Sequence, residues 1–188
     1  MNSNITLIQT HKLIELSISL SSMDKQHLQH LIKLAQDPAL PDSMGWDTYF
    51  ELSETDRFIE EIACFTLPYS QQSEPVVLGI YVASKNLPIG YAVLKGFNQE
   101  LGTVEVGVAV LDKAYKNKGQ GRLALQRIVR YAVEDLGMKT VAATILASNK
   151  YSCNMVNKVG FAVKELMPNS WTMPNGEIVD MLWVEYKS

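Results

Sequence analysis

Three strand-like runs follow one another so closely that they limit how this chain can fold. Residues 76–83, 89–97 and 103–111 are rich in β-branched and aromatic side chains, which is typical of strands. The connections between these runs are only a few residues long. Parallel neighbours need crossover connections of about a dozen residues or more, so the three strands are predicted to form an antiparallel meander.

Helix and strand patterns alternate through the rest of the chain. Before the meander, a strand is predicted over residues 12–19 and helices over residues 23–35 and from an N-cap at Ser53 to residue 64. After it, helices are predicted over residues 119–136 and 148–159, and strands over residues 140–146, 161–166 and 177–185. Strands on both sides of the helices imply a mixed sheet with helices packed on it, an α+β arrangement.

Length and cysteine content limit the class of protein. The 188 residues, 47% of them hydrophobic, suit a single domain over 1–188, which at this size needs no disulfide or structural metal. Cys64 and Cys153 lie far apart without a CxxC pattern, so neither a disulfide framework nor a metal site is predicted. A reducing cytoplasm is the expected compartment.

The net charge is small, but the charged residues are unevenly distributed along the chain. A net charge of −3 counts against broad nucleic-acid binding. Residues 1–8 lack the pattern of a signal peptide. No apolar run reaches the roughly 18 residues of a membrane span. However, residues 112–130 hold six basic residues against one acid, and residues 42–61 hold seven acids against one base. The acidic segment would attract a cationic amine, or it is simply a solvated face.

A glycine-bearing loop joins the third meander strand to the next helix. Residues 116–122 read Lys-Asn-Lys-Gly-Gln-Gly-Arg, and glycines at a helix N-terminus let a phosphate approach unpaired N–H groups. A P-loop would need Lys and Ser or Thr after the second glycine, where Arg122 and Leu123 stand. A dinucleotide loop would follow the first parallel strand. The loop is therefore either a diphosphate cradle of another kind or a plain connection.

Taken with a later segment, this loop resembles the GNAT superfamily of N-acetyltransferases. The family's loop reads Gln/Arg-x-x-Gly-x-Gly/Ala, and Lys116 stands in its first place. The later segment resembles the branch that acetylates the N-termini of ribosomal proteins, at Asn149, Ser152, Lys158, Gly160 and Phe161. The resemblance covers roughly residues 10–186. It implies a three-layer α/β/α fold around a mixed, mostly antiparallel sheet of about seven strands.

The resemblance also implies an activity. It is the direct transfer of an acetyl group from the co-substrate acetyl-CoA to a primary amine, most of all the N-terminal α-amine of a protein such as a ribosomal protein. Two alternatives stay open: acetylation of a small amine (a polyamine, amino acid or aminoglycoside) and a non-catalytic acetyl-CoA-binding module. No metal, nucleic-acid or membrane partner is expected, and the resemblance leaves a homodimer open.

Binding roles follow from the same resemblance. Ala109, Val110 and Leu111 match the end of a splayed strand whose free backbone groups pair with pantetheine, and Asn149 matches a residue that contacts the pantetheine arm. The pyrophosphate would lie on the loop formed by Lys116, Asn117, Lys118, Gly119, Gln120, Gly121 and Arg122. Without a ligand, the basic residues would be a solvated helix face and Asn149 a helix N-cap.

Two catalytic roles are implied. Glu105 resembles the family's base, although a strand carboxylate can also serve as a structural partner, and Ser152 resembles the serine that contacts the coenzyme sulfur. Val156 stands where many members have a tyrosine, which leaves the general acid open. The aromatic residues Trp46, Tyr49 and Phe50 are expected either to form a hydrophobic cluster or to line the acceptor pocket.

Overall fold

The computed structural model describes residues 17–37, 40, 50–64 and 74–188. Its seven strands are β1 (Ile18–Ser21), β2 (Val76–Val82), β3 (Gly90–Asn98), β4 (Thr103–Val110), β5 (Thr140–Leu146), β6 (Ala162–Thr172) and β7 (Ile178–Lys187). They form one sheet in the order β1-β2-β3-β4-β5-β7-β6. Neighbouring strands are antiparallel except β4 and β5, which are parallel. The predicted meander and the mixed, mostly antiparallel sheet are therefore confirmed.

Helices cover both faces of this sheet. They are α1 (Lys25–Ala35), α2 (Thr55–Ala63), α3 (Gln120–Arg130) and α4 (Lys150–Val159). Because side chains alternate along a strand, β3 presents Tyr91 and Val93 to the core beneath α1 and α2. The same strand presents Ala92 and Leu94 to the core beneath α3. This is the expected three-layer α/β/α arrangement.

The ends of several helices differ from the sequence expectation. The N-cap of α2 is Glu54 rather than Ser53, because the Glu54 carbonyl already accepts the first helical hydrogen bond, from the N–H of Phe58 at 3.0 Å. The predicted helix over residues 119–136 changes at Arg130 into the wider π turn Tyr131–Asp135. The final strands are longer than expected.

Parts of two expectations fall outside the described residues. They are residues 12–16 of the first predicted strand and the aromatic residues Trp46 and Tyr49. Phe50 is described, is 3% exposed and packs edge-on against Phe58 with ring centroids 5.2 Å apart, so it belongs to the hydrophobic cluster under α1 and α2. Within the described part of the chain, no helix has both the length and the apolar character to cross a membrane.

Candidate active site

The two parallel strands separate shortly after they begin. Three residue pairs join β4 to β5, the last being Glu105 opposite Ala142. Beyond that point β4 stays paired with β3 as far as Val110, and β5 stays paired with β7 as far as Leu146. Each strand therefore turns one edge toward a widening gap, into which an extended ligand can fit as an added strand.

A cavity of about 240 Å³ fills this gap. Its walls are mostly apolar and come from β3, β4 and β5, from α2, α3 and α4, and from one residue each of β6 and β7. The polar or aromatic side chains on its wall are Glu61, Tyr91, Lys95, Thr144, Asn149, Ser152 and Trp171. The cavity thus combines an apolar tunnel with a few convergent polar groups, which is typical of a binding site for a small molecule.

A buried ion pair lies at the narrow end of the gap. Glu105 is 2% exposed, and its Oε1 accepts a hydrogen bond of 2.9 Å from Thr144 Oγ1 and lies 3.8 Å from Lys95 Nζ. Lys95 stands directly opposite Glu105 in the β3–β4 register, and its ammonium also donates to the carbonyl of Cys64. The negative charge of Glu105 is thereby compensated inside the fold, where an isolated charge would be costly.

Tyr91, opposite Ala109 in the β3–β4 register, and Glu61 also lie on the cavity wall. Burial and the negative charge of Glu61 raise the pKa of the Tyr91 hydroxyl well above its ordinary value. The Tyr91 phenol is therefore protonated at neutral pH and can serve as a hydrogen-bond donor.

The glycine-bearing loop lies at the wide end of the gap. Gly119 is the N-cap of α3 with φ of 90°, a conformation that favours glycine. Asn117 also has a positive φ, of 61°. A Cβ on Gly121 would lie 3.3 Å from the Met155 sulfur and 3.7 Å from Val110, so α3, α4 and the end of β4 meet at this residue.

The loop is held in shape by its own side chains. Gln120 is 3% exposed, and its amide nitrogen donates to the carbonyls of Tyr115 at 3.2 Å and Lys118 at 3.0 Å. Any contribution of Gln120 to a ligand would therefore come from its backbone N–H. Lys116 ends the short turn Lys113–Tyr115, just before the residues that face the second cavity.

That second cavity, of about 660 Å³, lies beside the loop. The predicted binding residues Asn117, Lys118, Gly119 and Arg122 line it, together with residues of α4 that include Tyr151, Asn154, Met155 and Lys158. Three of the lining side chains are cationic: Lys118 and Arg122 flank the start of α3, and Lys158 comes from α4. Amides at a helix N-terminus and basic side chains together suit a diphosphate. Met155 lines both cavities, so the two adjoin.

Asn149 and Ser152 meet on the wall of the first cavity. Asn149 is the N-cap of α4, and its Oδ1 accepts a hydrogen bond of 3.0 Å from the N–H of Ser152. The helix-cap interpretation of Asn149 is thus confirmed, and its position on the cavity wall also suits a contact to a ligand. Val156, 5% exposed, contributes an apolar surface to the same wall.

The predicted pantetheine strand is only partly available for new pairing. The N–H of Leu111 donates to the carbonyl of Ile89 at 2.9 Å, and Ala109 is 6% exposed beneath α1 and α2. Earlier in the same strand, Val106, Gly107 and Val108 line the cavity. A pantetheine arm would therefore lie along more of β4 than the sequence indicated.

Sequence reasoning missed several wall residues, above all Glu61, Lys95 and Thr144. Each is an ordinary residue of an amphipathic helix or a strand, without a motif around it. The signal that could have revealed Lys95 is pairing, because in a meander with short connections a strand lysine opposite a strand glutamate predicts a cross-strand ion pair.

A divergent parallel strand pair beside a basic loop at a helix N-terminus suits an extended ligand that carries a diphosphate. The sequence model of the acetyltransferase (GNAT) domain matches residues 18–162, and the chain therefore belongs to this family. It is a GNAT acetyltransferase, and acetyl-CoA is its acetyl donor.

Solved structures have the same fold. A spermidine N-acetyltransferase from Vibrio cholerae, in complex with CoA and spermine, superposes with a TM-score of 0.75 at 15% identity, covering 90% of this chain and 95% of that one. A GNAT-family acetyltransferase from Bacillus anthracis superposes with a TM-score of 0.71 at 16% identity, covering 90% and 94%. Among curated protein sequences, none matches the chain.

Proposed function

We propose that this chain acetylates the N-terminal α-amine of a protein, such as a ribosomal protein, by direct transfer from acetyl-CoA. The observation that carries the proposal is the cavity between β4 and β5. A buried carboxylate and its partners lie at its narrow end, and a basic diphosphate cradle adjoins its wide end. In this arrangement the thioester would lie between the two ends, where an amine can reach it.

Each end of the cavity has its own role in acetyl transfer. A neutral amine attacks the thioester carbon, the N–C bond forms, and the C–S bond breaks with its electron pair left on sulfur. Glu105 takes the proton that the attacking nitrogen must lose. Ser152, on the cavity wall, donates a hydrogen bond to the departing thiolate. Asn149 and the amides around Gly119 and Gly121 hold the pantetheine and the pyrophosphate.

The charge of the acceptor end favours an α-amine. Among the described residues that line the cavity, the ionisable groups of opposite charge are one carboxylate, Glu61, and one ammonium, Lys95. A polyamine carries several positive charges, whereas the described wall offers it one carboxylate, Glu61, because Glu105 lies behind the wall and is already paired with Lys95. An α-amine has a pKa of about 7.7–8.0 against about 10.4 for a lysine amine, so near pH 7 it is neutral far more often and demands less of the base.

A small cationic amine is the second candidate. Glu61 provides one carboxylate on the cavity wall, and the similar Vibrio cholerae structure is that of a spermidine N-acetyltransferase with spermine bound. A polyamine acceptor would place one cationic nitrogen against Glu61 while another reacts. The two candidates thus differ in whether Glu61 or Lys95 dominates acceptor choice.

The test is an acetylation assay with several acceptors. Purified protein and acetyl-CoA are mixed with peptides of ribosomal-protein N-terminal sequence, with the same peptides blocked at the α-amine, and with spermidine, free amino acids and an aminoglycoside. Release of free CoA thiol is followed, and the product is located by mass spectrometry. We expect transfer to the free α-amine and none to the blocked peptide. Preference for spermidine would support the second candidate, and acetyl-CoA binding without transfer to any acceptor would indicate a non-catalytic module.

The same assay separates direct transfer from a covalent route. Cys64 lines the cavity and would be the nucleophile of an acetyl-enzyme. We expect Cys64→Ala to retain kcat within about twofold, because direct attack does not use the thiol. Loss of turnover, with an acetylated cysteine trapped in the wild type, would contradict direct transfer.

A further inference from the structure

Thr144 lies between the cavity and Glu105. The threonine lines the cavity, whereas the Glu105 side chain lies behind that wall and is 2% exposed. The hydroxyl of Thr144 donates to Glu105 Oε1 at 2.9 Å. An amine in the cavity would therefore meet the Thr144 hydroxyl before it met the carboxylate.

The register of the strands explains this contact. Glu105 belongs to the last pair that joins β4 to β5, opposite Ala142. Thr144 follows Ala142 by two positions and so projects from the same face of β5. Because the strands diverge beyond this pair, the threonine side chain lies in the opening gap, where its hydroxyl can turn back to the carboxylate.

Lys95 also lies near the same carboxylate oxygen, but it cannot accept a hydrogen bond from an amine. Its Nζ lies 3.8 Å from Oε1, and as an ammonium it has three donors and no acceptor. A hydroxyl has one donor and two acceptor lone pairs. Of these two partners of Oε1, only Thr144 can accept a hydrogen bond from an amine while donating its own proton to Glu105.

We propose that Thr144 is a proton relay between the acceptor amine and Glu105, an inference that rests on the proposed function. As the N–C bond forms, a proton passes from nitrogen to Thr144 Oγ1, and the original hydroxyl proton passes to Glu105 Oε1. The thiolate takes a proton from water when the C–S bond has broken. Glu105 returns its proton to the solvent through Thr144 after the acetylated product leaves, so the cycle gains or loses no proton beyond those of the reaction.

The test compares Thr144→Val, which keeps the shape but removes the hydroxyl, with Thr144→Ser, which keeps the hydroxyl. Because general base catalysis contributes about 10²-fold or more, we expect Thr144→Val to lower kcat by that order while KM for acetyl-CoA stays unchanged. Thr144→Ser should restore most of kcat and the wild-type pH profile. Thermal unfolding and CoA titration calorimetry of both variants show whether the fold and the cofactor site are intact.

A double variant separates a relay from a packing role. If Thr144 acts through Glu105, Thr144→Val combined with Glu105→Gln should be no slower than Glu105→Gln alone, because groups that act as a unit are not additive. Wild-type kcat in Thr144→Val, equal rates in Thr144→Ser and Thr144→Val, or multiplied losses in the double variant would each overturn the relay. Wild-type protein that acetylates no amine would instead overturn the proposed function, and the relay with it.

Discussion

The two ends of the cleft are built in different ways. At the wide end, one contiguous segment of the chain supplies Asn117, Lys118, Gly119 and Arg122 to the second cavity. The backbone conformation of that segment determines the shape of this end. At the narrow end, the partners Lys95, Glu105 and Thr144 come from three strands. The register of these strands determines which side chains meet. The wide end therefore depends mainly on one local segment, to which α4 adds Lys158 and its neighbours, while the narrow end depends on how three strands are aligned in the folded sheet.

The largest expected effect is at the cofactor end. Gly119 has φ of 90°, so Gly119→Val should distort the loop and weaken CoA binding by about 100-fold or more, since β-branched residues are genuine outliers at positive φ. Titration calorimetry with CoA measures the loss. Gly176→Val is a matched control, because Gly176 also has a positive φ, of 84°, with open space around it, in the turn between β6 and β7. CoA affinity equal to the wild type in Gly119→Val would contradict the loop assignment.

A smaller and different effect is expected at the acceptor end. Lys95→Met removes the ammonium from the cavity wall and also leaves Glu105 without its charged partner, so both acceptors should react more slowly. The ratio of kcat/KM for spermidine to that for an N-terminal peptide should nevertheless rise by about tenfold, which corresponds to about 1.4 kcal/mol of removed repulsion. CoA affinity should not change. Lys164→Met, at an exposed position on β6, is the control for loss of a lysine. An unchanged acceptor ratio would show that Lys95 does not set the choice of amine.

The smallest expected effect concerns the support of the loop. Asp112 accepts hydrogen bonds from Lys85 Nζ at 2.7 Å and from the Ala114 N–H at 2.9 Å. Burial opposes ionisation of Asp112, but these two bonds outweigh it and lower its pKa below the ordinary value of 3.8. The contribution of these bonds to the free energy of unfolding is fully present above pH 3.8. It is lost as the pH falls through the lowered pKa of Asp112 in the folded state.

Asp112→Asn should therefore lower the free energy of unfolding at pH 7 by at most about 1 kcal/mol, the range of partly exposed ion pairs. Urea unfolding at pH 7 and at several values below pH 4 measures the change, and the difference from the wild type should shrink with falling pH. Lys85→Met, which removes the other partner, should give a similar loss at pH 7. A difference that persists at the lowest pH would mean that the ion pair is not its source.

The same contrast explains how much the sequence could predict. The meander, the glycine loop and the N-cap at Asn149 each depend on neighbours within a few residues, and the structure contains all three. The change from α-helix to π turn after Arg130 was missed because no glycine or proline marks it in residues 127–136. The contact of Thr144 with Glu105 spans 39 positions in the chain and exists because two strands pair briefly and then part. No local pattern encodes that geometry.

The short β4–β5 ladder also has a consequence for cooperativity of folding. Strands β1 to β4 form one antiparallel half of the sheet, β5 to β7 form the other, and three backbone pairs connect them. A ligand that paired with both strands in the gap would join the halves as an additional, non-covalent strand. Because such a ligand would bind the folded sheet and not the unfolded chain, it would stabilise the whole domain by an amount that grows with the ratio of its concentration to its dissociation constant.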